Sequence, residues 1–457
     1  MSTVVASRGT AEDGYSPPTG RVLPTGLDAQ RAPSAPIDTV TSPRPRAHPS
    51  SGRLRQGLVV GAAMVDQVLS SGPQLLLTIL IAHVATAEVF GAASIVLIVQ
   101  GLVLGSQRAF IGDVVLLRCR RAGVDHADEV RTGLLLATGL GLAVAGLLLA
   151  VATVAIDEMR PLLLLLALVT PFTFAQDLLR SFAFGRRRVM DAVVLDGIWM
   201  GAFVAVSAAL FLAGEASASS LILAWGSGAA ASLLYGCVGL RSGTGRAAVR
   251  SWMRDDGRRA LSFLADYIVH TGVTLMSFLA LGFFMPLAEY GALRLARVTM
   301  SPPGNVLAGV RSLLLGRLGE SSRNRAATRR LRATASPSLA GFVLAYGLVV
   351  LAMPESVGER LFGDTWAGAR PLVLAVALAE ALRFAALPSM DIVRVFGTAR
   401  ELLGAQAVSS AASVAAILIG GIFWGASGVV WATAAVMTML VGLWWWQSTN
   451  VTSSDRA

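Results

Sequence analysis

Apolar runs of bilayer length recur along the chain from about residue 59 almost to its end, separated by short polar segments rich in arginine. At about 1.5 Å of rise per residue, roughly 20 apolar residues cross the hydrocarbon core as a helix. Taken in order, the runs predict twelve spans, near 59–83, 90–117, 132–156, 161–179, 189–213, 217–240, 260–284, 290–316, 334–353, 367–390, 402–424 and 426–447. The expected fold class is therefore an all-α polytopic membrane protein. The eighth run is the weakest, because it carries Arg294, Arg297, Pro302, Pro303, Gly304 and Arg311. It reads either as a broken helix or as one facing protein and water. Irregular backbone is tolerated at membrane depth only in such shelter, so this run is expected to line a cavity.

The polar segments set the orientation. Arginines crowd the loops predicted inside, at 118–131, 180–188, 241–259, 317–332 and 394–400, whereas the loops predicted outside hold only Arg160, Arg360 and Arg370. This positive-inside pattern puts both termini in the cytoplasm and makes the chain a multi-pass protein of the cell's inner (plasma) membrane. Omitting the eighth span would place the 323–332 cluster outside. Residues 1–56 are rich in Pro, Ser, Thr, Ala and Arg with no apolar period, and are expected to be a disordered cytoplasmic tail. The remaining divisions are a first six-helix lobe at 57–240, a cytoplasmic linker at 241–259, a second lobe at 260–447 and a short cytoplasmic tail at 448–457.

Two lobes are proposed because the pattern repeats. Asp66 in the first span is matched two hundred positions on by Asp266 in the seventh, and Phe90-Gly91-Ala92 by Tyr290-Gly291-Ala292. Asp177-Leu178-Leu179-Arg180 is echoed by Glu380-Ala381-Leu382-Arg383. An even number of spans per repeat leaves both halves in the same orientation, as in transporters whose two bundles enclose a central cavity.

Composition agrees with this picture and narrows it. The chain has 457 residues, 54 % apolar and 14 % charged, against about 25 % charged in soluble proteins, and its mean hydropathy is +0.65. All 38 basic residues are arginine, and the net charge is +10. Because the arginines lie between spans, that charge points to anionic membrane lipids as neighbours and away from nucleic acid. Cys119 and Cys237 suggest neither a disulfide nor a metal framework, His48, His83, His126 and His270 are scattered, and no phosphate-binding GxxxxGK loop is present. No enzyme chemistry and no cofactor are expected, so transport would draw on an ion gradient, the membrane potential or downhill substrate flow.

Charged groups inside spans are costly and default to functional candidates. Asp66 reads equally as an ion-coupling site or as a packed polar contact. Asp266 shares a helix face with His270, a residue easily tuned near neutral pH, and the pair is a substrate or proton contact or a packing pair. Arg294 and Arg297 share another face, with Arg108 in the second span. Three guanidinium groups reaching a wet cavity would suit a diphosphate or an acidic sugar. The competing reading has Arg294 and Arg297 neutralise Glu289 or Asp266, and Arg108 pair with Asp113. Asp177 with Arg180, and Glu380 with Arg383, fit structural pairs near cytoplasmic helix ends. Trp366, Trp424 and Trp444 to Trp446 fit an interfacial belt.

The chain resembles the polysaccharide-export branch of the multidrug, oligosaccharidyl-lipid and polysaccharide exporter superfamily. The resemblance is carried by Val65-Asp66-Gln67-Val68-Leu69-Ser70-Ser71-Gly72, by Glu88-Val89-Phe90-Gly91, by the stretch from Leu361-Phe362-Gly363-Asp364-Thr365-Trp366 to Ala369, and by Arg394-Val395-Phe396-Gly397-Thr398-Ala399-Arg400. It implies twelve transmembrane helices in two six-helix lobes around a central cavity, alternating access, and a polyprenyl-diphosphate-linked oligosaccharide or related glycan precursor as cargo. The first, second, seventh and eighth spans would line the cavity, which places Asp66, Arg108, Asp266, His270, Arg294 and Arg297 there. Implied partners are glycosyltransferases or a glycan polymerase, with the transporter itself a monomer. Two other readings stay open: an ion-coupled drug or small-molecule antiporter on the same fold, and a non-transporting scaffold for glycan-synthesis enzymes.

Overall fold

A computed structural model describes residues 71–120, 126–239, 248–307 and 325–453, all within one compact unit. The described residues are helical almost throughout. In chain order the helices are α1 (Ser71–Val84), α2 (Ala87–Arg118), α3 (His126–Ala152), α4 (Arg160–Gly185), α5 (Val189–Ala213), α6 (Ala218–Gly239), α7 (Val249–Tyr267), α8 (Val273–Leu281), α9 (Leu287–Thr299), α10 (Arg325–Leu351), α11 (Glu355–Phe362), α12 (Thr365–Phe396) and α13 (Ala399–Ser453). Eight of the described helices are long and apolar enough to cross a membrane: α2 to α6, α10, α12 and α13.

Local chemistry sets several of these boundaries. Thr86 caps α2 by accepting a hydrogen bond from the Val89 amide at 3.4 Å. Pro161 in the first turn of α4 occupies a position whose N–H has no helical partner. Gly214 ends α5 in the left-handed region at φ 71°. In α13, Gly425 has φ 62° and breaks the helix between the runs read from sequence as 402–424 and 426–447. The Glu289 carboxylate accepts the freed Ala426 amide at 2.6 Å, and a Cβ at Gly425 would collide with it. Glu289 therefore caps a helix. The reading in which Arg294 or Arg297 neutralises it is corrected.

The seventh run, and the weak eighth run as far as residue 307, are helical but interrupted, and 308–316 lie outside the described residues. A π-helical turn, Ile268–Gly272, separates α7 from α8, and a second, Arg108–Gly112, lies within α2. After α9 the chain turns at Met300 and resumes as helix at 301–307. Pro302 and Pro303 fall in the first turn of that segment, where a missing N–H costs least.

The packing has two groups and a bridge. Helices α3, α4, α5 and α6 pack on one another, as do α8, α9, α10, α12 and α13, and α2 lies along α9 between the groups. The bridging contact brings the sequence repeats together. A Cβ on Gly291 would lie 3.0 Å from the Ala87 carbonyl oxygen and 3.1 Å from the Gly91 nitrogen, and one on Gly91 would collide with the Leu287 carbonyl. Phe90 and Tyr290 are both fully buried beside this crossing.

At the other end, α7 docks on the first group. Arg118 bonds Glu129 at 2.8 Å and Asp256 at 2.6 Å, and Arg259 reaches Asp256 at 3.1 Å. Both acids are almost fully buried, and Trp252 packs beneath them against Phe110 and Val114. Further along, the Tyr267 hydroxyl donates to the Gly101 carbonyl of α2 at 3.3 Å.

Candidate functional site: an arginine-walled cavity beside α1, α9 and α12

A cavity of about 660 Å³ lies where α1, α9, the 301–307 segment and α12 meet. Alpha-helical spacing explains its lining. Ser71, Gln74 and Thr78 follow one face of α1, flanked by Leu77 and Ile81, which are fully buried in the core. Arg294 and Arg297, at i and i+3 on α9, face the same space, followed by Ser301 and Asn305. Glu380 and Arg383, at i and i+3 on α12, complete the wall.

The electrostatics are unbalanced. Arg383 donates to Glu380 at 2.7 Å. The Arg297 guanidinium lies over the Phe278 ring, 3.7 Å from its centroid, and the Nε atom of Arg294 has no hydrogen-bond partner among the described residues. Among the described residues, three guanidinium groups thus share a wall with one carboxylate, which suits a multiply charged anion with several acceptor oxygens.

A second cavity, of about 540 Å³, lies on the far side of that wall among α8, α12 and α13. It shares Arg297, Glu380 and Arg383 with the first. Its remaining lining is mostly apolar or hydroxylic, for example Leu275, Ile417 and Met437 beside Ser410 and Ser413, with the Gln406 carboxamide among them.

The structure gathers only part of the expected set. Arg294 and Arg297 lie together on the cavity wall. Arg108 lies apart from both cavities, bonded to Asp177 with a 3.2 Å contact from Nε, and its side chain is 47 % exposed. Asp266 is exposed on α7 and lines neither cavity. Position 270 falls in the second π turn, and its side chain lies outside the described residues, as does Asp66 entirely.

Two pairings are corrected. Arg108 bonds Asp177 and not Asp113, and Arg180 pairs with Asp196 at 2.9 Å and not with Asp177. The i, i+3 spacing of Asp177 and Arg180 was met in sequence, but their side chains bond to neighbouring helices. Glu380 and Arg383 do form the expected pair, yet they stand in mid-helix on the cavity wall. Gln74 and Thr78 also belong to this wall. Their signal was available as polar positions spaced i, i+3 and i+7 from Ser71 inside an apolar run.

The fold defined by these helices is that of a class of membrane transporters. The chain superposes on the lipid II flippase MurJ in an inward closed conformation with a TM-score of 0.65 at 11 % identity, covering 86 % of this chain and 90 % of that one. An inward-facing multidrug resistance MATE family transporter of the MOP superfamily gives 0.63 at 14 % identity, over 86 % and 96 % of the two chains. A variant of the Vibrio cholerae MATE transporter VcmN gives 0.55 at 12 % identity, over 89 % and 98 %. No family model matches the sequence, and no curated protein matches it. The shared feature is the fold, which spans both the MurJ-like and the MATE-like branches.

Proposed function

We propose that this protein is an alternating-access transporter that moves a polyprenyl-diphosphate-linked oligosaccharide, or a related cell-surface glycan precursor, from the cytoplasmic to the outer leaflet. The reading takes the chain as twelve spans in two six-helix lobes, 57–240 and 260–447, joined by 241–259, with both termini cytoplasmic. One observation carries it: Arg294, Arg297 and Arg383 converge on a single polar cavity with Glu380 as its carboxylate. Cations are expensive at membrane depth, so their gathering there argues for an anionic cargo. A diphosphate offers the acceptor oxygens that three guanidinium forks can use.

The state of the molecule fits such a cycle. If the arginine-rich loops are inside, the tight Gly91–Gly291 crossing would lie on the outer side and serve as its closure, with Ser301 and Asn305 on the cytoplasmic side of the cavity. Reopening would part α2 from α9 at that crossing.

The second reading, an ion-coupled antiporter for drugs or small molecules, is favoured by the similarity to MATE transporters. It calls for a carboxylate able to bind a cation. In the first helix group Asp177 and Asp196 are both engaged by arginines, and Asp66 is the carboxylate this reading would use. Proteoliposomes separate the two readings. The flippase moves a labelled lipid-linked oligosaccharide with or without Asp66→Asn, whereas an antiporter accumulates a cationic dye down an imposed ion gradient and loses that activity in the same variant.

A further inference from the structure

We propose that the second cavity, among α8, α12 and α13, is a ligand site in its own right for an amphiphile bearing a phosphate head group. Its volume of about 540 Å³ falls in the range of small-molecule sites, roughly 300–1,000 Å³. Arg297 and Arg383 reach it through the shared wall, and Arg383 is already bonded to Glu380. Among the described residues no carboxylate lies within ion-pair distance of Arg297, whose guanidinium rests on the Phe278 ring at 3.7 Å. The wall therefore presents an uncompensated positive charge.

The opposite side has another character. Leu275, Ile417 and Met437 form apolar surface, with Ser410 and Ser413 as neutral hydroxyls. A small hydrophilic anion would leave the apolar surface wet, and a hydrocarbon alone would leave Arg297 desolvated and unpaired. An amphiphile satisfies both sides. Phosphate fits better than carboxylate, because guanidinium forks and serine hydroxyls together offer donors to more than two oxygens. The phosphate can belong to a membrane phospholipid or to a polyprenyl carrier, which share this chemistry. Since its head would engage Arg297 from the side of the second cavity, such an occupant competes for the wall that the proposed cargo uses in the first. The site does not depend on the flippase reading, and an inability to move glycans would leave it intact.

The test uses the full chain in phosphatidylcholine nanodiscs with a diazirine-bearing dodecyl phosphate. Photolabel is expected within 406–417 and 429–444, displaced by dodecyl phosphate and not by inorganic phosphate. Arg297→Gln should weaken binding about tenfold or more, from the loss of a charged hydrogen bond. Ser413→Leu should reduce labelling by filling the cavity while leaving the arginines in place. Should that variant fail to fold, label mapping in the wild-type protein still decides. Stronger competition by farnesyl phosphate than by phosphatidic acid assigns the site to a polyprenyl carrier, and the reverse assigns it to a phospholipid; either supports the proposal. Label confined to surface residues such as Phe423, Trp424 and Trp446, displacement by inorganic phosphate, or indifference to Arg297→Gln would overturn it.

Discussion

Gly91 and Gly291, two hundred positions apart and each at the centre of an aromatic-Gly-Ala triplet, back onto one another where α2 crosses α9, with 3.1 Å between a Cβ built on Gly291 and the Gly91 nitrogen. The contact is reciprocal. Gly91 abuts residue 287 and Gly291 abuts residue 87, the pattern of a two-fold-related interface within one chain. A side chain of any size at either position forces the helices apart.

Gly91→Ala should therefore loosen this crossing, because its methyl would strike the backbone carbonyl of Leu287, which cannot rotate away. The expected cost is about 1–3 kcal/mol of stability in the closed form. Ala92→Cys, fully buried in the present state, should resist an impermeant maleimide alone and react in the Gly91→Ala background. Equal protection in both would mean that the crossing is not the closure.

The cap on the last helix segment gives an independent check on α9. Glu289→Ala removes the acceptor that holds the Ala426 amide at 2.6 Å. A lost cap of this kind costs about 0.5–2 kcal/mol. Thermal unfolding in detergent should show a lowered midpoint, with Glu289→Gln falling between the alanine variant and the wild type.

Docking of α7 rests on buried ions. Asp256→Asn leaves Arg118 with Glu129 alone and Arg259 without its partner at 3.1 Å. Breaking a buried pair by removing one member typically costs about 3–5 kcal/mol. A double-mutant cycle of Arg118→Gln with Asp256→Asn, read by denaturation, should return a coupling of about 0.5–3 kcal/mol. Additive losses would place α7 free of the first helix group.

On the cavity wall, Glu380→Gln removes the single carboxylate among three arginines. The freed Arg383 should raise affinity for a soluble diphosphate, whereas Arg383→Gln should lower it about tenfold, as expected for one charge-assisted contact. Isothermal titration with a short-chain prenyl diphosphate reads both. The same direction of change in the two variants would contradict the anion-site assignment.

How much of this was legible in the chain follows from what periodicity encodes. Spans came through where apolar runs were long and unbroken, as in α3 to α6, and Gly425 fell between two runs read as separate. The eighth run was ambiguous because its polar residues face the cavity. Spacing placed Arg294 beside Arg297, since a single helix fixes both. It paired Asp177 with Arg180, but residues at that spacing can also bond across to other helices, and packing shows that Arg108 meets Asp177 and Arg180 meets Asp196. The role of Glu380 and Arg383 as wall residues was hidden for a similar reason: an ion pair looks the same in sequence at a helix end and on a cavity.

The most direct measurement is transbilayer movement of a fluorescent polyprenyl-diphosphate-linked oligosaccharide in proteoliposomes, with wild type beside Arg294→Gln and Arg297→Gln. The account predicts translocation by the wild-type protein and a loss of about tenfold or more in each variant, the scale of one charged hydrogen bond. Undiminished movement in both variants would contradict the arginine wall as the cargo site, and no movement of any lipid-linked glycan by the wild type would contradict the function.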